Sequence, residues 1–69
     1  MARPKLVVAA LRSAQARRVV AKQRDLIARL KAAGRPTSDA EQMLQTYLSL
    51  LEHLEAHEQK LRDAHRRCM

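Results

Sequence analysis

From Lys5 to Met69 the chain contains one glycine and one proline, two residues apart, at Gly34 and Pro36. Every other position in that span carries a residue that a helix accepts, and the first half is dominated by strong helix formers (Ala, Leu, Arg, Lys and Gln). A helix that reaches Gly-Arg-Pro must stop. Glycine takes the left-handed C′ position without steric cost, and proline cannot continue the hydrogen-bond ladder. Pro4 suits a first turn, where a missing N–H is harmless. On the far side, Ser38-Asp39-Ala40-Glu41 fits a capping box, with Thr37 as an alternative cap. The spacing therefore predicts helices over about 4–33 and about 38–66, joined by a turn at 34–37. Each would be about 45 Å long. Equal lengths and a short link predict an all-α antiparallel two-helix hairpin, one domain spanning 1–69. No strand period, internal repeat or low-complexity linker competes with this reading.

The second helix carries a wide apolar stripe of Met43, Leu44, Tyr47, Leu50, Leu51, Leu54, Leu61, Ala64 and Cys68, widened by Leu48. Steps alternating between three and four residues are the period of coiled-coil-like packing. The first helix answers with Val19, Val20, Leu26, Ile27, Leu30 and Ala33, with Ala16 and Gln23 on the same face. Twelve alanines inflate the 46% apolar content, and there is no Trp, no Phe and one Tyr. A core this small rarely yields more than about 3–5 kcal/mol without a disulfide, a metal or a partner chain. The stripe is also wider than one facing helix can cover. Two hairpins pairing into a homodimeric four-helix bundle is the expected solution, with Val20, Ile27, Leu30, Leu44, Tyr47, Leu51, Leu54 and Leu61 as the self-associating residues.

Early in the first helix the pattern changes. At 100° per residue Lys5 and Arg12 fall along the core stripe, while Val7, Ala10, Leu11 and Ala14 cluster on the opposite side. A hairpin folded about 35–36 sets Arg12 across from Glu58 or Gln59, so an Arg12–Glu58 contact is expected near the open end. The outward apolar patch of Val7, Leu11 and Ala14 is then a candidate contact for another subunit or a protein partner.

Charge is divided by position. Residues 1–36 hold ten Lys and Arg and one acid, Asp25, a net +9; residues 37–69 hold four bases and six acids, a net −2. Arg18, Lys22 and Arg29 fall on the outer face of the first helix, and Arg17, Arg24 and Lys31 line one flank at seven-residue spacing. Such a ridge can follow a phosphate backbone with salt-sensitive affinity. Scarce aromatics disfavour single strands read by base stacking, leaving duplex DNA or structured RNA as the nucleic-acid alternative.

Chemistry finds little support. One glycine excludes a phosphate-cradling glycine loop, no nucleophile–base pair is evident, and no enzymatic activity or cofactor is expected. His53 and His57, four apart, could share a metal with His65 or Cys68 of another helix. The H-E-x-x-H and Glu-x-x-His patterns are both missing, so solvated histidines beside the seam are the expectation. The apolar run Leu6–Leu11 is too short for a signal peptide, and no stretch approaches a membrane span, so a membrane partner is not expected. The first thirty residues resemble a transit peptide in charge alone; they also supply the stripe that the second helix needs. The lone Cys68 reads as a free thiol of a reducing, cytoplasmic setting.

The stretch 23–57, QRDLIARLKAAGRPTSDAEQMLQTYLSLLEHLEAH, resembles small uncharacterised bacterial helical-hairpin proteins. The likeness lies in its Leu-Ile-x-x-Leu run, Gly-x-x-Thr turn and following Ala-x-x-x-Leu. It implies a hairpin and no particular activity. The architecture is also similar to a small plasmid copy-control RNA-binding protein that dimerises as a four-helix bundle, although none of its motifs occur here. The functional expectation is a non-catalytic interaction or regulatory module.

Overall fold

The computed structural model describes residues 4–67. It holds two helices, α1 (Lys5–Ala32) and α2 (Ser38–Arg67), and no strand among the described residues. They pack antiparallel along their lengths in a hairpin 54 Å long.

The turn forms as the glycine dictates. Gly34 has φ +70, its N–H donates to the Lys31 carbonyl at 3.0 Å, and the Arg35 N–H donates to the Leu30 carbonyl at 2.8 Å. These two bonds make a Schellman motif, which satisfies carbonyls that the end of α1 would otherwise orphan. A Cβ on Gly34 would meet nothing within 4 Å, so a substitution there is opposed by backbone conformation alone. Gly34→Ala is expected to cost about 1 kcal/mol per hairpin, readable as a lower melting temperature with unchanged helicity.

Of the two caps that the sequence offers for α2, the structure forms the one at Thr37. Glu41 donates its N–H to the Thr37 carbonyl at 2.8 Å, which makes Thr37 the residue that opens the helix. The Ser38–Glu41 capping box is not formed, because Ser38 is already the first helical residue. The Glu41 carboxylate instead reaches Lys31 on α1, 3.8 Å away.

The helix–helix seam keeps one heptad register from end to end. On α1 it runs through Leu6, Ala9, Ser13, Ala16, Val20, Gln23, Ile27 and Leu30, and on α2 through Thr37, Ala40, Leu44, Tyr47, Leu51, Leu54, Glu58 and Leu61, all buried or half-buried. Gln23 donates from Nε2 to the Ala40 carbonyl at 2.8 Å and so ties the register near the turn. Among the described residues the buried apolar side chains are Ala9, Ala16, Val20 and Ile27. Only Val20 and Ile27 bring more than a methyl group, and full burial of such a side chain is worth roughly 1.5–3 kcal/mol.

Two expectations for α1 need correction. Lys5 and Arg12 do not lie in the seam; both are exposed, and Leu6 with the small residues Ala9 and Ser13 carries the heptad instead. Val19, Leu26 and Ala33, read as core, are exposed as well. The reason is one of angle: Arg12, Val19, Leu26 and Ala33 form a column beside the seam, one residue away from Ser13, Val20 and Ile27.

Candidate interaction surfaces

In an antiparallel pair, the column that flanks the seam on one helix faces the matching column on the other, giving the hairpin two distinct sides. The first side is charged. Arg17, Arg24 and Lys31 of α1 run beside Glu41, Leu48, Glu55 and Arg62 of α2. Arg17 Nε lies 3.5 Å from Glu55 and Lys31 lies 3.8 Å from Glu41. These pairs are half-exposed or more and each is worth at most about 1 kcal/mol, so they align the helices more than they stabilise them. Nearer the turn, Arg24, Lys31, Glu41 and Gln45 line an open groove of about 600 Å³.

Glu58 closes this side at the seam. It is 8% exposed and accepts from Arg62 Nη2 at 2.6 Å and Nε at 3.1 Å, with Arg17 Nη2 4.0 Å away. The expected Arg12–Glu58 contact is not made: Arg12 lies on the other side of the seam, and Arg17 takes the place assigned to it. Ser13, fully buried, faces the carboxylate. Its hydroxyl is near enough to favour the ionised form but has no well-formed hydrogen bond. Hydrogen bonding from Arg62, and next the nearby Ser13 hydroxyl, hold the Glu58 carboxyl below its ordinary value of 4.5; burial opposes this, and the Arg62 and Arg17 charges add to it. A depressed carboxylate pKa stabilises the fold above the ordinary value and loses that contribution as pH falls below it. Glu58→Gln is therefore expected to flatten the decline in melting temperature below about pH 4.5, as followed by circular dichroism.

The second side is apolar. Val19 and Leu26 of α1 stand beside Leu50 and Met43 of α2, exposed by 39%, 43%, 50% and 48%. Ala16, Val19, Tyr47 and Leu50 enclose a wholly apolar dimple of about 110 Å³, left because Ala16 is too small to fill its seam position. Towards the open end this side turns polar, with Arg12, Lys5 and His57 exposed.

The back of α1 is mixed. Val7 and Leu11 are 46% and 47% exposed, Ala14 is half-buried, and all three face away from the seam as expected. One turn further on, Arg18 and Lys22 are exposed and make no ion pair among the described residues, while Arg29 pairs with Asp25. The six bases read as a possible phosphate ridge are thus divided. Arg17, Lys31 and Arg29 are engaged with carboxylates, and Arg24 opens on the charged flank with Arg17 and Lys31, leaving Arg18 and Lys22 on the back of α1.

His53 and His57 are both exposed on α2. Among the described residues no group of three or more His, Cys, Asp or Glu side chains is placed to hold a metal ion, and no helix is long and apolar enough to cross a membrane. Cys68, proposed from spacing as a seam residue or third ligand, lies outside the described residues.

No family model matches the chain, and no curated protein or solved structure matches it. Function must be argued from the surfaces themselves.

The eight residues expected to self-associate all lie in the intrachain seam. Val20 and Ile27 are buried there, and Leu30, Leu44, Tyr47, Leu51, Leu54 and Leu61 are half-buried, each with an edge still open. The apolar side beside them was legible in part, since Met43, Leu50, Val19 and Leu26 were all read as stripe residues. The columns seven residues apart diverge: 6-13-20-27 turns inward and 12-19-26-33 sideways.

Proposed function

We propose that the hairpin is a non-catalytic interaction module that acts by self-association, two copies forming a four-helix bundle that presents its outer faces to a protein partner in a reducing, cytoplasmic setting. One observation carries this reading: Val19, Leu26, Met43 and Leu50 lie exposed along one side of a hairpin whose own seam, among the described residues, buries only two large aliphatic side chains. A contiguous apolar strip of this kind is uncommon on a monomer and marks an interaction surface. The patch at Val7 and Leu11, on the back of α1, is the proposed contact for a different protein. Light scattering at micromolar concentration tests the assembly: twice the 7.9 kDa chain mass is expected, and a folded monomer rules the reading out.

A second reading is favoured by one specific feature. Arg18 and Lys22 stand one turn apart on the back of α1 with no carboxylate engaged, on a chain of net +7. They would remain outward in a bundle closed through the apolar side, available to a duplex backbone. Arg18→Glu with Lys22→Glu is then expected to abolish low-salt binding to duplex DNA or structured RNA. For the unmodified chain, affinity should fall with salt at a logarithmic slope of about −0.9 per phosphate contacted on duplex DNA. Unchanged elution beside either nucleic acid at low salt would remove this reading.

A further inference from the structure

The self-association proposed above leaves open how two hairpins face each other, and the apolar side contains a shape that decides it. Along that side the strip is not uniform. At the Val19 and Leu50 level lies the dimple of about 110 Å³ walled by Ala16, Val19, Tyr47 and Leu50. Seven residues nearer the turn, about 10 Å along the helix, stand the two long side chains Leu26 and Met43, 43% and 48% exposed. One half of the strip holds the dimple, and the other half carries two long exposed side chains that a matching dimple can receive. Four residues around a hole that admits one aliphatic side chain is the unit of knobs-into-holes packing.

We infer that a second copy of this chain docks on the apolar side about a two-fold axis running across the hairpin, so that the turns point in opposite directions and Met43 of each copy enters the dimple of the other with Leu26 beside it. A symmetric interface requires the same patch on both copies and pairs residue i with j and j with i. Turning one hairpin end over end about the middle of the strip sets Val19 against the partner's Leu26 and Met43 against the partner's Leu50. Projections then meet holes on both halves. The other two-fold order, with the axis along the hairpin and both turns at one end, sets hole over hole and projection over projection. It leaves the dimples empty and forces Leu26 against the partner's Met43. Interiors pack at crystal density with few voids, so the end-over-end order is the one that the shape accepts. It also keeps the two Lys5–Arg12 ends at opposite ends of the assembly, where the other order would lay them side by side.

The area is sufficient for a second copy. The hairpin exposes 5818 Å², whereas a compact monomer of 7.9 kDa would expose roughly 4,400 Å². The excess of about 1,400 Å² exceeds the roughly 800 Å² that each partner contributes to an interface of standard size. A face 54 Å long and two helices wide, about 20 Å, accommodates that contact. Met43 suits the role of inserted group, because an unbranched thioether adapts to an imperfect hole.

Disulfide trapping tests the orientation. In a Cys68→Ser background, chains carrying Val19→Cys, Leu26→Cys or Leu50→Cys are mixed pairwise at redox equilibrium and the covalent dimers are weighed by mass spectrometry. All three positions are exposed in the hairpin, and helicity by circular dichroism monitors folding of each variant. A disulfide requires Cα atoms within roughly 7 Å, so the V19C–L26C dimer is expected to exceed the V19C–L50C dimer by about tenfold or more. The reverse ratio would overturn the end-over-end order and leave self-association standing. A monomeric mass for the cysteine-free chain by light scattering would remove both.

Discussion

Leu50→Glu is expected to dissociate the proposed four-helix bundle into monomers. The substitution sits at the edge of the dimple, where the partner's Met43 would insert, and symmetry introduces it twice. An uncompensated charge at each buried site costs about 3 kcal/mol or more, so the two together weaken association by roughly four orders of magnitude. Sedimentation velocity reads this as a shift to the chain mass. The same sample should lose its cooperative thermal transition, because a lone hairpin has so little buried. Leu11→Glu is the matched control. It places the same charge on an equally exposed leucine, on the back of α1, and should leave mass and melting unchanged while losing a protein partner in a pull-down. Identical behaviour of the two variants would show that the apolar side has no special part in assembly.

Ile27→Ala should have the next largest effect. Ile27 is 8% exposed at the turn half of the seam, and truncating a buried isoleucine costs about 2–5 kcal/mol. A fold of this size holds only about 3–5 kcal/mol from its core. The variant is therefore expected to be largely unfolded at low concentration and to regain helicity as concentration rises, since association is linked to folding. Circular dichroism over a dilution series measures this. Val19→Ala, in the adjacent column and 39% exposed, should affect assembly with little effect on the hairpin itself. The contrast between adjacent valine and isoleucine columns is what the register demands.

Much of this architecture was legible before any coordinates. Gly34 and Pro36 set the turn, and the leucines of α2 set its seam, because leucine or tyrosine recurs at the heptad positions Leu44, Tyr47, Leu51, Leu54 and Leu61. The first half of α1 was not legible, for a physical reason. Its seam residues, Ala9, Ser13 and Ala16, are small, while its larger side chains, Val7, Leu11 and Val19, face outward or sideways. Reading hydrophobicity alone follows the larger residues, and so Lys5 and Arg12 were drawn into the core and Glu58 was given the wrong arginine. Ser13 was the available clue: a hydroxyl is tolerated against a facing carboxylate, and Glu58 stands on the inward column of α2. The two sides of the hairpin could be found once the columns were separated, but the dimple depends on Ala16 lying beside Tyr47, which no spacing rule provides.

The change in residue size along the seam gives the molecule a direction. At the turn the helices are held by a closed backbone motif, the Gln23 bond and Ile27, whereas at the other end alanine, serine and an ion pair face each other. Opening fluctuations should therefore start at the far tips and travel towards Gly34, as in a pair of tongs joined at the hinge. Amide protons of Ala9 to Ser13 would exchange with solvent well before those of Val20 to Ile27. A ligand gripping only the tips would spread the arms without disturbing the joint.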